Sequence, residues 1–80
     1  MVTLSFEKNH VVNLHPGQSV RLRCGLFQVK TRHFNLRNGE FVVVRCGFNP
    51  KTIIVSCGNN ATISRGTIRL IPGQALVVRC

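Results

Sequence analysis

NLHPGQSVRLRCG, residues 13–25, is a phrase that this chain repeats. It returns as NLRNGEFVVVRCG at residues 35–47 and as RLIPGQALVVRC at residues 69–80, with a degraded copy, NPKTIIVSCG, at residues 49–58. Each good copy joins a turn, a hydrophobic run and a cysteine. Pro presets one turn angle and Gly supplies the positive φ after it, so the phrase opens on a chain reversal. Two and four residues before the cysteine stand Leu22 and Val20, Val44 and Val42, Val55 and Ile53, Val78 and Leu76. Side chains two apart share one face of a strand. Cys24, Cys46, Cys57 and Cys80 therefore point inward with the apolar residues. Arg23, Arg45 and Arg79, with Ser56 in the weak copy, point outward.

The rest of the chain fits the same reading. VTLSFE (residues 2–7) alternates apolar and polar residues as a half-buried strand does, and HVVNL (residues 10–14) reads as a second strand. HFNL and FVVVRC flank Asn38-Gly39, the strongest short-range hairpin signal, so these two segments are expected to pair. TIIVSC, ATIS, TIRL and ALVVRC complete the set. No apolar period of 3.6 is sustained anywhere, and short strands at spacings of about 8–12 residues indicate a sandwich or barrel. The expected fold is all-β, with little or no helix. It is a small barrel or sandwich of about eight short antiparallel strands in a single domain, residues 1–80. Near-equal intervals from Cys24 to Cys46 and from Cys57 to Cys80 suggest an internal pseudo-two-fold repeat, about 10–46 and 47–80, in place of the fixed period of a solenoid.

A domain of 80 residues has a small core, so added stabilisation is worth seeking. Four cysteines form an even count, the pattern of a disulfide framework. Inward thiols in a reducing compartment act as small hydrophobes instead. Both readings stand at this level, and three pairings are open. Structural zinc sites use close ligand pairs such as C-x-x-C. No two cysteines here are so placed, and His10, His15 and His33 do not repair the spacing; no metal or other cofactor is expected. Glu7 and Glu40 are the only acids, too few for paired-carboxylate chemistry. No nucleophile motif occurs, nor a glycine loop leading into a helix. The chain reads as a non-enzyme.

Charge points to partners. Eleven Lys and Arg against two acids give a net charge of +9, with only 16% of residues charged. Such a one-signed field attracts nucleic acid, acidic glycan, anionic lipid or an acidic protein. No stretch approaches the ~20 apolar residues of a membrane span. MVTLSFEKNH at the amino terminus lacks the features of a signal peptide, which leaves the localisation open between intracellular and mature secreted.

KTRHFNLR, residues 30–37, is the most informative polar stretch. As a strand it places Phe34 and Leu36 in the core, and His33, Asn35 and Arg37 outside. With Lys30 and Arg32 these form a row of donors suited to phosphate oxygens, which the guanidinium fork matches in pairs. Arg21, Arg23, Arg45, Arg69 and Arg79 extend the expected polyanion-binding face. Trp and Tyr are absent, and Phe6, Phe34 and Phe41 read as core. Phe27 and Phe48 are left as stacking platforms, so binding is directed to a backbone more than to bases. At the outward position three before the cysteine stand Arg21, Val43, Ile54 and Val77. The three β-branched residues there, Val43, Ile54 and Val77, are expected to form a self-association surface.

His33-x-Asn35-x-Arg37 followed by a valine run is similar, over about a dozen residues, to part of the sugar-binding strand of galectins. The resemblance implies sugar contacts for those three side chains. Leu36 replaces the family's usual proline, its stacking Trp is missing, and the chain is too short for its fold. Asn60-Ala61-Thr62 fits the N-glycosylation pattern. The first functional expectation is a non-enzymatic homo-oligomer binding the backbone of a nucleic acid or another polyanion. Two alternatives are a secreted or virion-associated disulfide-stapled protein contacting glycan or a protein surface, and an inhibitor-like protein docking on the acidic groove of a larger enzyme.

Overall fold

All four copies of the phrase become inner strands. A computed structural model, describing residues 2–27 and 30–80, contains β1 (Val2–Ser5), β2 (His10–Leu14), β3 (Ser19–Arg23), β4 (Lys30–Asn35), β5 (Glu40–Cys46), β6 (Thr52–Cys57), β7 (Ile63–Leu70) and β8 (Gln74–Arg79). There is no helix among the described residues. The strands form two four-stranded sheets: sheet A in the order β1-β3-β8-β4, sheet B in the order β2-β6-β5-β7. The phrase strands β3, β8, β6 and β5 hold the central positions, and β1, β4, β2 and β7 are the edges.

Two expectations are corrected. The sheets are open, so the fold is a sandwich and not a closed barrel. Nor are its strands all antiparallel. The central pairs β3/β8 and β5/β6 are antiparallel, but each edge strand runs parallel to its inner neighbour.

The turns supply the physical reason. In His15–Gln18, Arg37–Glu40 and Ile71–Gln74 the fourth residue's N–H donates to the first residue's carbonyl at 2.9, 3.0 and 3.0 Å. The fourth side chain, Gln18, Glu40 or Gln74, accepts from the first residue's N–H through Oε1 at 2.9, 2.6 and 3.0 Å. Each turn is thus closed by a reciprocal pair of bonds. Gly17, Gly39 and Gly73 take φ of 89°, 92° and 98°, the single positive φ of a type II turn. A two-residue type I′ hairpin needs positive φ at both central residues, and Asn38 does not have it. The Asn38-Gly39 turn therefore makes no hairpin. It carries the chain from edge strand β4 of sheet A to inner strand β5 of sheet B, as the other two carry β2 to β3 and β7 to β8. The expected pairing of HFNL with FVVVRC is corrected: β4 bonds to β8, and β5 to β6 and β7.

Between the sheets the inward positions of the phrase pack as its alternation requires. Val20, Leu22, Val42, Val44, Ile53, Val55, Leu76 and Val78 are each no more than 1% exposed. Phe6, Leu14, Leu36 and Leu70 complete the buried cluster, with Phe34 partly buried against it. Phe41 is the exception among the expected core aromatics. It pairs with Ser56 on the outer face of sheet B, opposite in phase to buried Val42.

All four cysteines are oxidised. Cys24–Cys46 and Cys57–Cys80 each tie one sheet to the other, with Cα–Cα distances of 5.4 and 5.2 Å. Because the central strands are antiparallel within each sheet, the two bonds lie at opposite ends of the sandwich. Along one side Arg65 of β7 stacks over the Phe34 ring of β4, 5.0 Å from its centre. Along the other, β1 and β2 part to leave a cleft of about 670 Å³ lined by Val2, Leu4, Val12, Leu14 and Val20, with Gln18 and Ser19 at its end.

Replacing Cys57 and Cys80 together by Ala should lower the unfolding free energy by about 3 kcal/mol, since each bond closes a loop of some 20 residues. Urea titration of the double variant against the native protein measures it. Gln74→Ala removes one turn-closing acceptor and should cost about 1 kcal/mol in the same assay.

Candidate functional site

Strand register decides which basic residues can act together. On the outer face of sheet A, Arg21 of β3 stands beside Val77 of β8, which stands beside His33 of β4. One row along, Arg23, Ala75 and Thr31 align, and in the other direction Ser19, Arg79 and Asn35. Ser19, Arg21, Thr31, His33, Val77 and Arg79 line a shallow groove of about 340 Å³. Arg21, Arg23, Arg79, His33 and Asn35 are thus brought together across three strands. Glu7 lies in the β1–β2 loop and Glu40 opens β5 of sheet B, so neither acid belongs to this face. Val77 at its centre is only 5% exposed, flanked by long polar neighbours that cover apolar surface with their stems. It lies in sheet A, whereas Val43 and Ile54 lie in sheet B, so the three residues expected to form one association surface do not share a face.

The remaining polyanion candidates separate from that group. Lys30 and Arg32 alternate with His33 and Asn35, so they take the Leu76 side of edge strand β4. The single row expected along β4 is split between two faces. Arg37 leaves the strand and is exposed in the turn before β5. Arg45 and Arg69 sit in register on neighbouring strands of sheet B. Arg45 Nε is buried without a hydrogen-bond partner among the described residues. Two adjacent guanidiniums disfavour each other and favour an anion between them.

The middle of the outer face of sheet B is apolar, bordered by uncharged polar residues such as Ser56 and Thr67. Val43 and Ile54 are cross-strand partners, and Val11 of β2 stands next to Ile54. Phe41 lies two residues from Val43 on the same face. These four make a continuous apolar surface in which no charged residue intervenes.

Glu40 joins three segments. Its carboxylate accepts from Arg37 N–H at 2.6 Å and from Arg65 Nη1 at 3.2 Å. The backbone donor chiefly, and then the Arg65 guanidinium, hold its pKa below the ordinary carboxylate value. These bonds fix the turn and aim Arg65 at Phe34.

One end of the sandwich was not legible as a unit in the sequence. Its loop segments, residues 24–27, 47–51 and 71–73, meet above Cys24–Cys46. A Cβ placed on Gly25 would lie 3.1 Å from Gly73 N, and one on Gly47 would lie 3.7 Å from Pro72 Cδ. Phe27 and Phe48, the two aromatics left as platforms, stand exposed here beside Leu26 and Ile71. The recurrent Cys-Gly pair followed by Leu-Phe or Phe was the available signal. The opposite end is polar, with Asn60 of the glycosylation pattern exposed in the β6–β7 turn.

Comparison with protein-family models, with curated proteins and with solved structures finds no match to this chain.

Because the pKa of Glu40 is depressed, its stabilising contribution is present above the unfolded-state value, about 4.5, and is lost as pH falls through the folded-state value. The stability difference between native protein and Glu40→Gln should be constant at neutral pH and shrink below that point. Urea midpoints at stepped acid pH values measure it, and a difference that grows in acid would contradict this reading.

Proposed function

We propose that this protein is a non-enzymatic, disulfide-stapled binding module that holds a polyanion on the outer face of sheet A. The observation that carries the reading is the convergence of Arg21, Arg79 and His33 on one groove, with Arg23 one row along, on a face without acids. Guanidiniums there meet sulfate, carboxylate or phosphate oxygens with paired hydrogen bonds. The shallow groove suits a chain of anionic groups better than an enclosed small molecule.

Two structural disulfides favour an oxidising compartment. There the abundant polyanions are acidic glycans, so sulfated or uronate polysaccharide is the first ligand and nucleic-acid backbone the second. His33 and Asn35 on this same face would add donors for sugar hydroxyls, while exposed Arg37 in the following turn stands apart from them. The +9 charge makes two copies repel over most of their surface. The apolar patch of Val11, Phe41, Val43 and Ile54 is the place where copies meet with least repulsion, and self-association through it is part of the proposal.

Titration with a sulfated oligosaccharide and with a single-stranded oligonucleotide of equal charge, at several salt concentrations, tests the reading. Affinity should fall linearly on logarithmic axes, with a slope of about 0.9 or less per contacted anion. R21A/R79A should weaken binding by about tenfold or more, as expected for charge-assisted hydrogen bonds. Affinity flat in salt, or unchanged in that variant, would sink the proposal. Tighter oligonucleotide binding would select nucleic acid as ligand. Ile54→Lys should shift the protein to monomer in sedimentation; an unchanged mass distribution would remove the association surface.

A further inference from the structure

Among the described residues, every large apolar side chain exposed in a loop lies at the Cys24–Cys46 end. Leu26 is 84% exposed, Phe27 83%, Phe48 101% and Ile71 60%. The other exposed large hydrophobics, Val2, Val11 and Ile63, are strand residues. The tips come from three loops held as one unit. Cys24–Cys46 bonds the roots of two of them, Gly73 N–H donates to the Cys24 carbonyl at 2.9 Å, and Gly47 N–H donates to the Leu70 carbonyl at 2.7 Å. Pro72 fits between Gly25 and Gly47, whose positive φ lets the loops approach it. The result is a preorganised set of projecting side chains instead of a groove.

Cations surround the tips. Arg23 ends β3, Lys30 begins β4, Lys51 precedes β6, and the Arg45–Arg69 pair lies at the ends of β5 and β7. Glu7 is the one acid at this end. Projecting apolar groups inside a basic rim match a surface that is apolar beneath and anionic at its face. That is the acyl boundary of a bilayer carrying anionic lipids, where binding grows with inserted apolar area and with headgroup attraction. Arg45 and Arg69, side by side in register, add two guanidiniums to this rim.

We propose that this end of the sandwich docks on anionic membrane surfaces, with Leu26, Phe27, Phe48 and Ile71 inserted below the headgroups and the basic rim at headgroup level. The site is separate from the sheet A groove and does not depend on it.

The chain has no Trp or Tyr, so F48W gives a single fluorescent reporter. The disulfide-bonded variant is mixed with phosphatidylcholine vesicles, with and without phosphatidylserine, and with a sulfated polysaccharide. With anionic vesicles its emission should shift to the blue and be quenched by lipids brominated in their tails; the polysaccharide should produce neither change. L26S/F48S alters fully exposed positions and should fold normally by circular dichroism. It should lose vesicle binding by about tenfold or more while keeping native affinity for polysaccharide. R21A/R79A should do the reverse, so failure of this inference and failure of the polyanion reading are told apart. Three results would overturn the inference. They are no blue shift on anionic vesicles, undiminished vesicle binding by L26S/F48S, or a reduced solution mass of L26S/F48S that assigns the tips to a second copy of the chain.

Discussion

Two covalent ties between the sheets are the constraint on which the rest depends. A sandwich of this size buries a thin core, and its strand connections cross between layers four times through short links. Cys24–Cys46 and Cys57–Cys80 fix the layers at opposite ends, and each shortens the unfolded chain's freedom over a loop of more than 20 residues. Between them the inner strands turn Val, Leu and Ile side chains to the core, with no buried polar or charged residue among those described. The outward faces and the ends are therefore where side chains differ from one use of the phrase to the next.

The turn chemistry sets where those surfaces fall. A Gln or Glu at the fourth position closes each turn on itself, and a single positive φ at Gly sends the chain to the opposite sheet. Every use of the phrase therefore delivers an inner strand, and inner strands alternate an inward apolar set with an outward set free to differ. Sheet A spends its outward positions on Arg21, Arg23 and Arg79. Sheet B uses Val43 and Ile54 there, with Arg45 confined to one end. One repeated unit thus yields a basic face and an apolar face back to back.

The candidate site was legible in part. Arginine before cysteine placed Arg23, Arg45 and Arg79 outward, and the register agrees. That Arg21, Arg79 and His33 converge, while Arg45 and Arg69 form a separate pair on the other sheet, depends on which strands become neighbours. The split of Lys30 and Arg32 from His33 follows from simple alternation along β4, and counting faces through the whole segment would have found it. The loop-tip cluster could not be counted out. Leu26, Phe48 and Ile71 are far apart in sequence and meet only because β3, β5 and β7 end on the same side.

By itself the sequence determined the all-β class and most strand positions and inward residues, because alternation and turn chemistry are local; Phe41 faces outward and ATIS and TIRL join in the single strand β7. It also determined the net charge of +9. Partner strands, their parallel or antiparallel sense, the choice of open sandwich over barrel and the pairing of the cysteines were decided only by the tertiary structure. Those are long-range choices between equally apolar strands, and they are made by how two whole sheets close over a shared core and bring particular sulfurs within bonding distance.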